Sequence, residues 1–228
     1  MGYDVTYHPV KPEEVRGLYF DHLGDREAHE RLGVQFGLDP SDVDRLGAMW
    51  DIACDVPDET PFNKGHGFLL ALVAGFLRRY WYLRGGAFSF LLEDHPEFRR
   101  YVTDWRAVVP TQYLSADFVG EINQNHCSGL YLGPDQLGEL KASYQTDQEV
   151  RAAMGEVFGE TLPIFWMAAD YAVEHGYGLI EATDLYCPHP FQPEATKTMI
   201  PPDKCVPDGV VLYMKTAARQ IREHEEHR

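Results

Sequence analysis

The longest apolar segment of the chain covers residues 67–77, where no charged side chain interrupts the sequence. A helix that crosses a membrane needs about 20 apolar residues, so this shorter segment predicts a helix buried inside the protein. Apolar and aromatic residues continue to Leu83, and the pair Gly85 and Gly86 follows, which is typical of a helix end. We therefore expect one buried helix over residues 67–83.

Prolines mark the starts of other helices, because proline fits the first helical turn and acidic residues there face the positive end of the helix dipole. Four helices are predicted to begin in this way, at Pro12, Pro40, Pro134 and, for a brief helix to about Val102, Pro96. A longer helical region is predicted over residues 147–174, and Pro163 should bend or divide it.

Alternation of apolar and polar residues predicts a first strand over residues 3–10. Further strands are predicted at Leu130–Leu132, over residues 179–186 and over residues 210–214. Residues 87–92 fit a short strand and a short helix equally well.

Helical patterns outnumber strand patterns and no internal repeat is visible. The chain is therefore predicted to be an α+β protein, predominantly helical, with a small mixed or antiparallel sheet. Residues 1–228 are expected to form a single compact domain. Two features qualify this expectation: a point of subdivision near residues 57–65 and a proline-rich connection over residues 188–208.

The chain is strongly acidic, since 36 Asp and Glu against 20 Lys and Arg give a formal net charge of −16. This charge repels phosphate groups, which argues against nucleic acids and anionic membranes as partners and favours basic proteins. The four cysteines are scattered through a chain that is long enough to fold without disulfides. With no secretory signal pattern, they indicate reduced thiols in a cytoplasmic protein.

Residues 60–92 contain no acid at all. An island of basic and aromatic side chains lies within them: Arg78, Arg79, Arg84, Tyr80 and Tyr82. A guanidinium in such a setting can hold a carboxylate or phosphate through paired hydrogen bonds, so the island is a candidate site for a small anion. The alternative is that the arginines neutralise the end of the predicted helix and pair with acids elsewhere.

A polar loop over residues 123–129 contains Asn125, His126 and Cys127 directly before a predicted strand. Cys127 would be the nucleophile of an enzyme, and an asparagine would help to hold an oxyanion. His126 is a poor base for it, because neighbouring side chains on an extended chain point in opposite directions. The structural alternative is a turn, since asparagine tolerates left-handed backbone.

Cys187, His189 and Cys205 offer sulfur and nitrogen ligands that suit zinc, and His126 or Cys127 could supply the fourth. The spacing differs from that of zinc fingers, and ordinary buried thiols explain isolated cysteines equally well. Zinc is therefore the one cofactor that the sequence suggests.

No nucleotide-binding, hydrolase or metalloprotease motif is present. We therefore expect a non-enzymatic module that binds a basic protein, for example an inhibitor or immunity-type partner of that protein. One alternative is a metal-binding protein or enzyme that combines the His126 and Cys127 loop with Cys187, His189 and Cys205. The other is a small-anion receptor that uses the arginine island.

Overall fold

The computed structural model describes residues 3–54, 61–118 and 130–226. Its strands are β1 (Asp4–Val10), β2 (Tyr80–Arg84), β3 (Leu130–Leu132), β4 (Gly178–Thr183), β5 (Tyr186–Cys187), β6 (Lys197–Thr198) and β7 (Cys205–Val206). The α-helices are α1 (Pro12–Leu18), α2 (Ala28–Phe36), α3 (Pro40–Cys54), α4 (Lys64–Leu77), α5 (Phe88–Asp94), α6 (Pro134–Thr146), α7 (Gln148–Phe158), α8 (Leu162–His175) and α9 (Pro207–Glu226). The prediction of a predominantly helical α+β fold with a small mixed sheet is confirmed.

The main sheet has five strands in the order β3-β4-β1-β2-β7, and β5 pairs with β6 in a separate two-stranded sheet. In the main sheet β1 is antiparallel to both of its neighbours, while β2 and β7 are parallel. β1 lies at the centre, and its residues from Val5 onward are buried on both faces. This burial explains why its pattern is less polar than that of a strand with one face in water.

Helices cover both faces of the sheet. On one face α4 packs together with α1, α2 and α3 against side chains such as Tyr80 and Ile180. On the other face α5 to α8 pack against side chains such as Tyr7 and Trp81. Successive residues of each strand therefore enter different hydrophobic clusters, as the pleat of a strand requires.

The prediction of one helix over residues 67–83 is wrong at its C-terminal end. The helix is α4, which begins after Asn63, whose side chain accepts hydrogen bonds from the backbone nitrogens of Gly65 and His66. It ends at Leu77, and the chain then extends into β2. The aromatic residues of β2 favour a strand, and pairing with β1 satisfies their backbone groups.

Other local predictions have mixed outcomes. The first strand, Leu130–Leu132 and the helix starts at Pro12, Pro40 and Pro134 are confirmed. The strand predicted over residues 210–214 is wrong, because these residues belong to α9.

The ambiguous residues 87–92 lie mainly in α5. The helical region over residues 147–174 is divided at Gly159, where the backbone has φ 49°, and Pro163 lies in the first turn of α8. The proline-rich connection contains β6 and β7. In the part of the chain described above, no helix is long and apolar enough to cross a membrane.

Candidate functional site

Arg78 is the first residue after α4, and its guanidinium forms a paired hydrogen bond with a carboxylate. Its two terminal nitrogens lie 2.6 Å and 2.5 Å from the carboxylate oxygens of Glu14 in α1. Burial opposes ionisation of Glu14, but the hydrogen bonds and charge of Arg78 hold the pKa of that carboxyl below its usual value. The guanidinium also lies 4.6 Å from the ring centre of Tyr177. Arg78 thus binds an internal acid.

Arg84 also pairs within the protein. One of its terminal nitrogens lies 2.7 Å from Oδ1 of Asp4 at the start of β1, and the hydroxyl of Tyr82 donates to the same oxygen over 2.6 Å. The guanidinium lies 5.1 Å from the ring centre of Tyr213 in α9. Arg84 therefore joins β1, β2 and α9.

Arg79 differs from the other two arginines, since it is exposed and, in the described parts of the chain, no carboxylate forms an ion pair with it. Its guanidinium lies 5.2 Å from the ring centre of Tyr171 in α8. Tyr80 is buried, and its hydroxyl donates to the carbonyl oxygen of Pro201. The three guanidiniums thus have three different partners, so the small-anion hypothesis stays a prediction that depends mainly on Arg79.

A cavity of about 390 Å³ lies beside Arg84, between the end of β2, the junction of α7 and α8, and α9. Its lining also includes Glu156 and Glu160, two acids that would repel an anionic ligand. The cavity does not strengthen the small-anion hypothesis.

Cys187 lies beside two acids. Its sulfur and the nearest oxygens of Asp4 and Asp184 all lie within 4.8 Å of one another. Burial and then the charge of Asp4 raise the pKa of the Cys187 thiol to about 12, so the thiol is protonated at neutral pH. The ion pair between Arg84 and Asp4 further reduces the attraction of this group for a cation.

The structure separates Cys187 from the other metal candidates. His189 holds a turn, because its Nδ1 accepts hydrogen bonds from the backbone nitrogens of Phe191 and Gln192. Burial raises the pKa of the Cys205 thiol to about 12. Among the residues that the structure describes, the group that could hold a metal contains neither His189 nor Cys205.

The remaining predicted residues Asn125, His126 and Cys127 lie outside the described parts of the chain. The zinc and enzyme hypotheses that depend on them stay predictions.

A buried carboxylate that sequence reasoning missed lies on β4, beside the central strand of the sheet. Glu181 in β4 accepts a hydrogen bond from the hydroxyl of Tyr7 over 2.6 Å and from the backbone nitrogens of Phe88 and Ser89 over 2.5 Å and 3.2 Å. These nitrogens open α5, which has no capping side chain of its own. Burial raises the pKa of Glu181, and its contacts are those of a helix cap. The signal in the sequence is one acid within the apolar strand β4.

His8 is a second buried polar residue that was missed. Its Nε2 and Oγ1 of Thr6 share a hydrogen bond of 2.8 Å, and the Thr6 hydroxyl donates to the carbonyl oxygen of Ala182 over 3.3 Å. Burial lowers the pKa of His8 to about 3, so the imidazole is neutral. Both buried groups serve the fold.

The surface of the helix pair α2 and α3 has an excess of negative charge. Residues 25–51 contain seven acids and three arginines. Each arginine pairs with an acid of the same segment, in the ion pairs Arg26–Asp51, Arg31–Asp25 and Arg45–Asp42. In the described parts of the chain, no basic side chain forms an ion pair with the four other acids, Glu27, Glu30, Asp39 and Asp44.

Two of these acids share one side of α2 with an exposed apolar residue, and a third is exposed on α3. Glu27, Glu30 and Val34 lie on one side of α2, because their spacing of three and four residues matches the helical repeat. The side chain of Val34 is 86% exposed. Asp44 is exposed on α3. We refer to Glu27, Glu30, Val34 and Asp44 as the acidic face.

Close packing holds the two helices of the acidic face together. A methyl group at Gly33 of α2 would lie 2.6 Å from a side-chain carbon of Val43 of α3, so only glycine permits this approach. On the exposed side, Arg26 reaches Asp51 of α3 over 2.9 Å. The acidic face is therefore presented on a rigid support.

Comparisons with models of protein families, with curated proteins and with solved structures each gave no match. The function therefore has to be inferred from the surfaces and sites described above.

Proposed function

We propose that this protein is a non-enzymatic binding module and that a basic protein docks on its acidic face. An inhibitor or immunity-type protein that neutralises a basic toxin or nuclease is an example of this class. The observation that carries the proposal is the charge of α2 and α3, whose arginines are all paired, while Glu27, Glu30 and Asp44 are exposed and form no ion pair with a described residue.

Electrostatics supports this proposal. A net charge of −16 attracts a basic partner over long distances and speeds its association. The arginines Arg78 and Arg84, which would oppose this attraction, are paired with internal acids. The exposed side chain of Val34 gives the partner an apolar contact from which water is excluded. Charged side chains alone do not provide such a contact.

The described cysteines support a reducing compartment. Cys187 and Cys205 are free thiols. We propose that the module acts in the cytoplasm, where such thiols stay reduced.

Capture of proteins from the lysate of the source organism, with the purified chain immobilised, tests the proposal. One variant carries Glu27→Lys, Glu30→Lys and Asp44→Lys and so reverses the charge of the acidic face. A control variant carries Glu139→Lys, Glu156→Lys and Glu174→Lys, which reverses three exposed acids of other helices and changes the net charge by the same amount.

We expect the wild type and the control variant to retain the same basic protein at low salt, and the face variant to lose it. Salt well above the physiological concentration should release the protein, because screening shortens the range of the attraction to a few ångströms. Equal losses in both variants would show attraction to net charge without a docking face. The proposal would be contradicted if the basic protein were retained at high salt and were also retained by the face variant.

A further inference from the structure

Helix α9 is attached to the rest of the protein along one side. Gly209 lies so close to β2 that a methyl group on it would be 1.7 Å from the carbonyl oxygen of Tyr82. Further along the same side, Thr216 and Arg219 donate hydrogen bonds to Glu160 over 3.2 Å and 2.9 Å. Of the 20 residues of α9, Gly209 is the one that is buried among those described.

The opposite side of α9 is apolar, and its three large side chains are exposed. It carries Val211, Met214, Ala218 and Ile221, which we call the outer stripe. The side chains of Val211, Met214 and Ile221 are 43%, 42% and 47% exposed. Isolated apolar residues are common on protein surfaces, but four in register on one helix are typical of a helix that packs against another helix.

The spacing of the outer stripe is the same in both directions, since steps of three, four and three residues separate its members. A second α9 that runs antiparallel would therefore place its Ile221 over Val211 and its Ala218 over Met214. Such self-complementarity is what a twofold interface requires.

The charges beside the outer stripe have the same symmetry. Asp208 and Arg222 lie on one flank of α9, near its two ends, and Lys215 lies midway between them. In the antiparallel arrangement each Asp208 meets the Arg222 of the other copy, which gives two ion pairs of opposite charge. Lys215 meets its own counterpart, a like-charge contact at the centre.

Two shallow grooves adjoin the outer stripe and extend the surface beyond the helix. One of about 330 Å³ lies between α9 and the start of α8 and is lined by Pro163, Ile164 and Val211 among others. The other, of about 450 Å³, lies beside the C-terminal half of α9 and is lined by Ile221 and by Phe191, which is 50% exposed. They add apolar surface that a single pair of helices would not provide.

We propose that the outer stripe of α9 binds a second copy of this chain, as an antiparallel pair of helices about a twofold axis near Lys215. This surface is separate from the acidic face, so a dimer presents two acidic faces to basic partners.

Sedimentation velocity over a series of protein concentrations tests the proposal. The wild type should change from monomer to dimer as concentration rises. Ile221→Asp should abolish the dimer, whereas Val34→Asp, which changes a still more exposed valine on α2, should leave it unchanged. Equal behaviour of the wild type and Ile221→Asp would overturn the proposal.

Charge exchange tests the arrangement of the helices. Asp208→Arg and Arg222→Asp should each weaken the dimer at least tenfold, and the double variant should recover most of the affinity. Lys215→Gln should tighten the dimer, a gain that damage to the fold cannot mimic. Additive losses in the double variant would rule out the antiparallel pairing.

The effect of salt distinguishes dimer formation from the binding of a basic partner. Two copies of charge −16 repel each other, so added salt should strengthen the dimer, while it should release a basic partner. A monomer at every concentration and salt would end the dimer proposal and leave the acidic face untouched.

Discussion

Arg78 and Glu14 fix the end of α4 to the start of α1, through two hydrogen bonds of 2.6 Å and 2.5 Å between guanidinium and carboxylate. Both side chains are largely withdrawn from water, with 15% and 21% of their surface exposed. Glu14 also accepts a hydrogen bond from the backbone nitrogen of Lys11, so one acid holds two elements.

Arg78→Ala should lower the free energy of unfolding by about 2 kcal/mol, because Glu14 would lose its partner while remaining half-buried. Arg16→Ala is the control, since Arg16 and Asp21 form an exposed pair worth less than about 1 kcal/mol. Urea denaturation measures both. A loss for Arg78→Ala no larger than that of the control would show that the paired hydrogen bond adds little to stability.

Tyr7→Phe should destabilise the protein by about 1–3 kcal/mol, because it removes the hydroxyl that donates to the buried carboxylate of Glu181. Tyr213→Phe serves as the control, since Tyr213 is half-buried and no hydrogen bond of its hydroxyl is found in the described parts of the chain. Thermal unfolding compares the two variants. Equal melting temperatures would show that the hydrogen bond from Tyr7 to Glu181 does not help to hold this cap of α5 in place.

His8 should make stability depend on pH. Above pH 6.5 the imidazole is neutral in both the folded and the unfolded chain. Between pH 6.5 and about 3 the unfolded chain binds a proton at His8 that the folded protein does not, so the free energy of unfolding falls as pH falls. The decrease from this residue is about 1.4 kcal/mol for each pH unit.

Urea denaturation at several pH values within that window measures the effect of His8. His8→Gln should flatten the pH dependence relative to the wild type, because it removes the group whose pKa is lowered by burial. Comparison between variants is needed because Glu181, whose pKa is raised, contributes in the opposite direction. Parallel curves for wild type and His8→Gln would show that folding does not lower the pKa of His8.

Gly209→Ala should displace α9 from β2 and lower the free energy of unfolding by about 1–3 kcal/mol, because the added methyl group meets the carbonyl of Tyr82. Gly138→Ala in α6 is a matched control, since its methyl group would meet no other atom within 4 Å and alanine favours a helix. Circular dichroism during heating distinguishes the two. Stabilisation by both substitutions would mean that α9 does not approach β2 so closely.

The elements that the sequence predicts correctly are those in which local pattern and tertiary environment agree. The apolar residues of α4 predict burial, and the alternation at the start of β1 predicts a strand. The error over residues 67–83 arises because β2 follows α4 after two residues, and its apolar and aromatic residues fit both periods. Only its pairing with β1 decides the outcome, and that pairing is not visible in the local sequence.

The candidate surfaces were harder to predict. The sequence shows that acids exceed bases, but the pairing of Arg26 with Asp51 and of Arg45 with Asp42 decides which acids remain uncompensated. Residues 210–214 are predicted as a strand because they form an unbroken apolar run, which fits a short strand and a helix equally well. Val211 and Met214 are exposed because the other side of α9 packs against β2. In the sequence, the glycine at position 209 is the one sign of which side of the helix makes that contact.

The position of β1 at the centre of the sheet affects how the protein folds during its synthesis. Thr6 of β1 and Ala182 of β4 are neighbours in the sheet, although 176 residues separate them in the chain. Contacts of such long range slow folding, since a large loop must close before they form. β1 is synthesised long before β4, so one of its edges lacks its native partner until β4 is made, and an exposed strand edge of this kind is a site of aggregation.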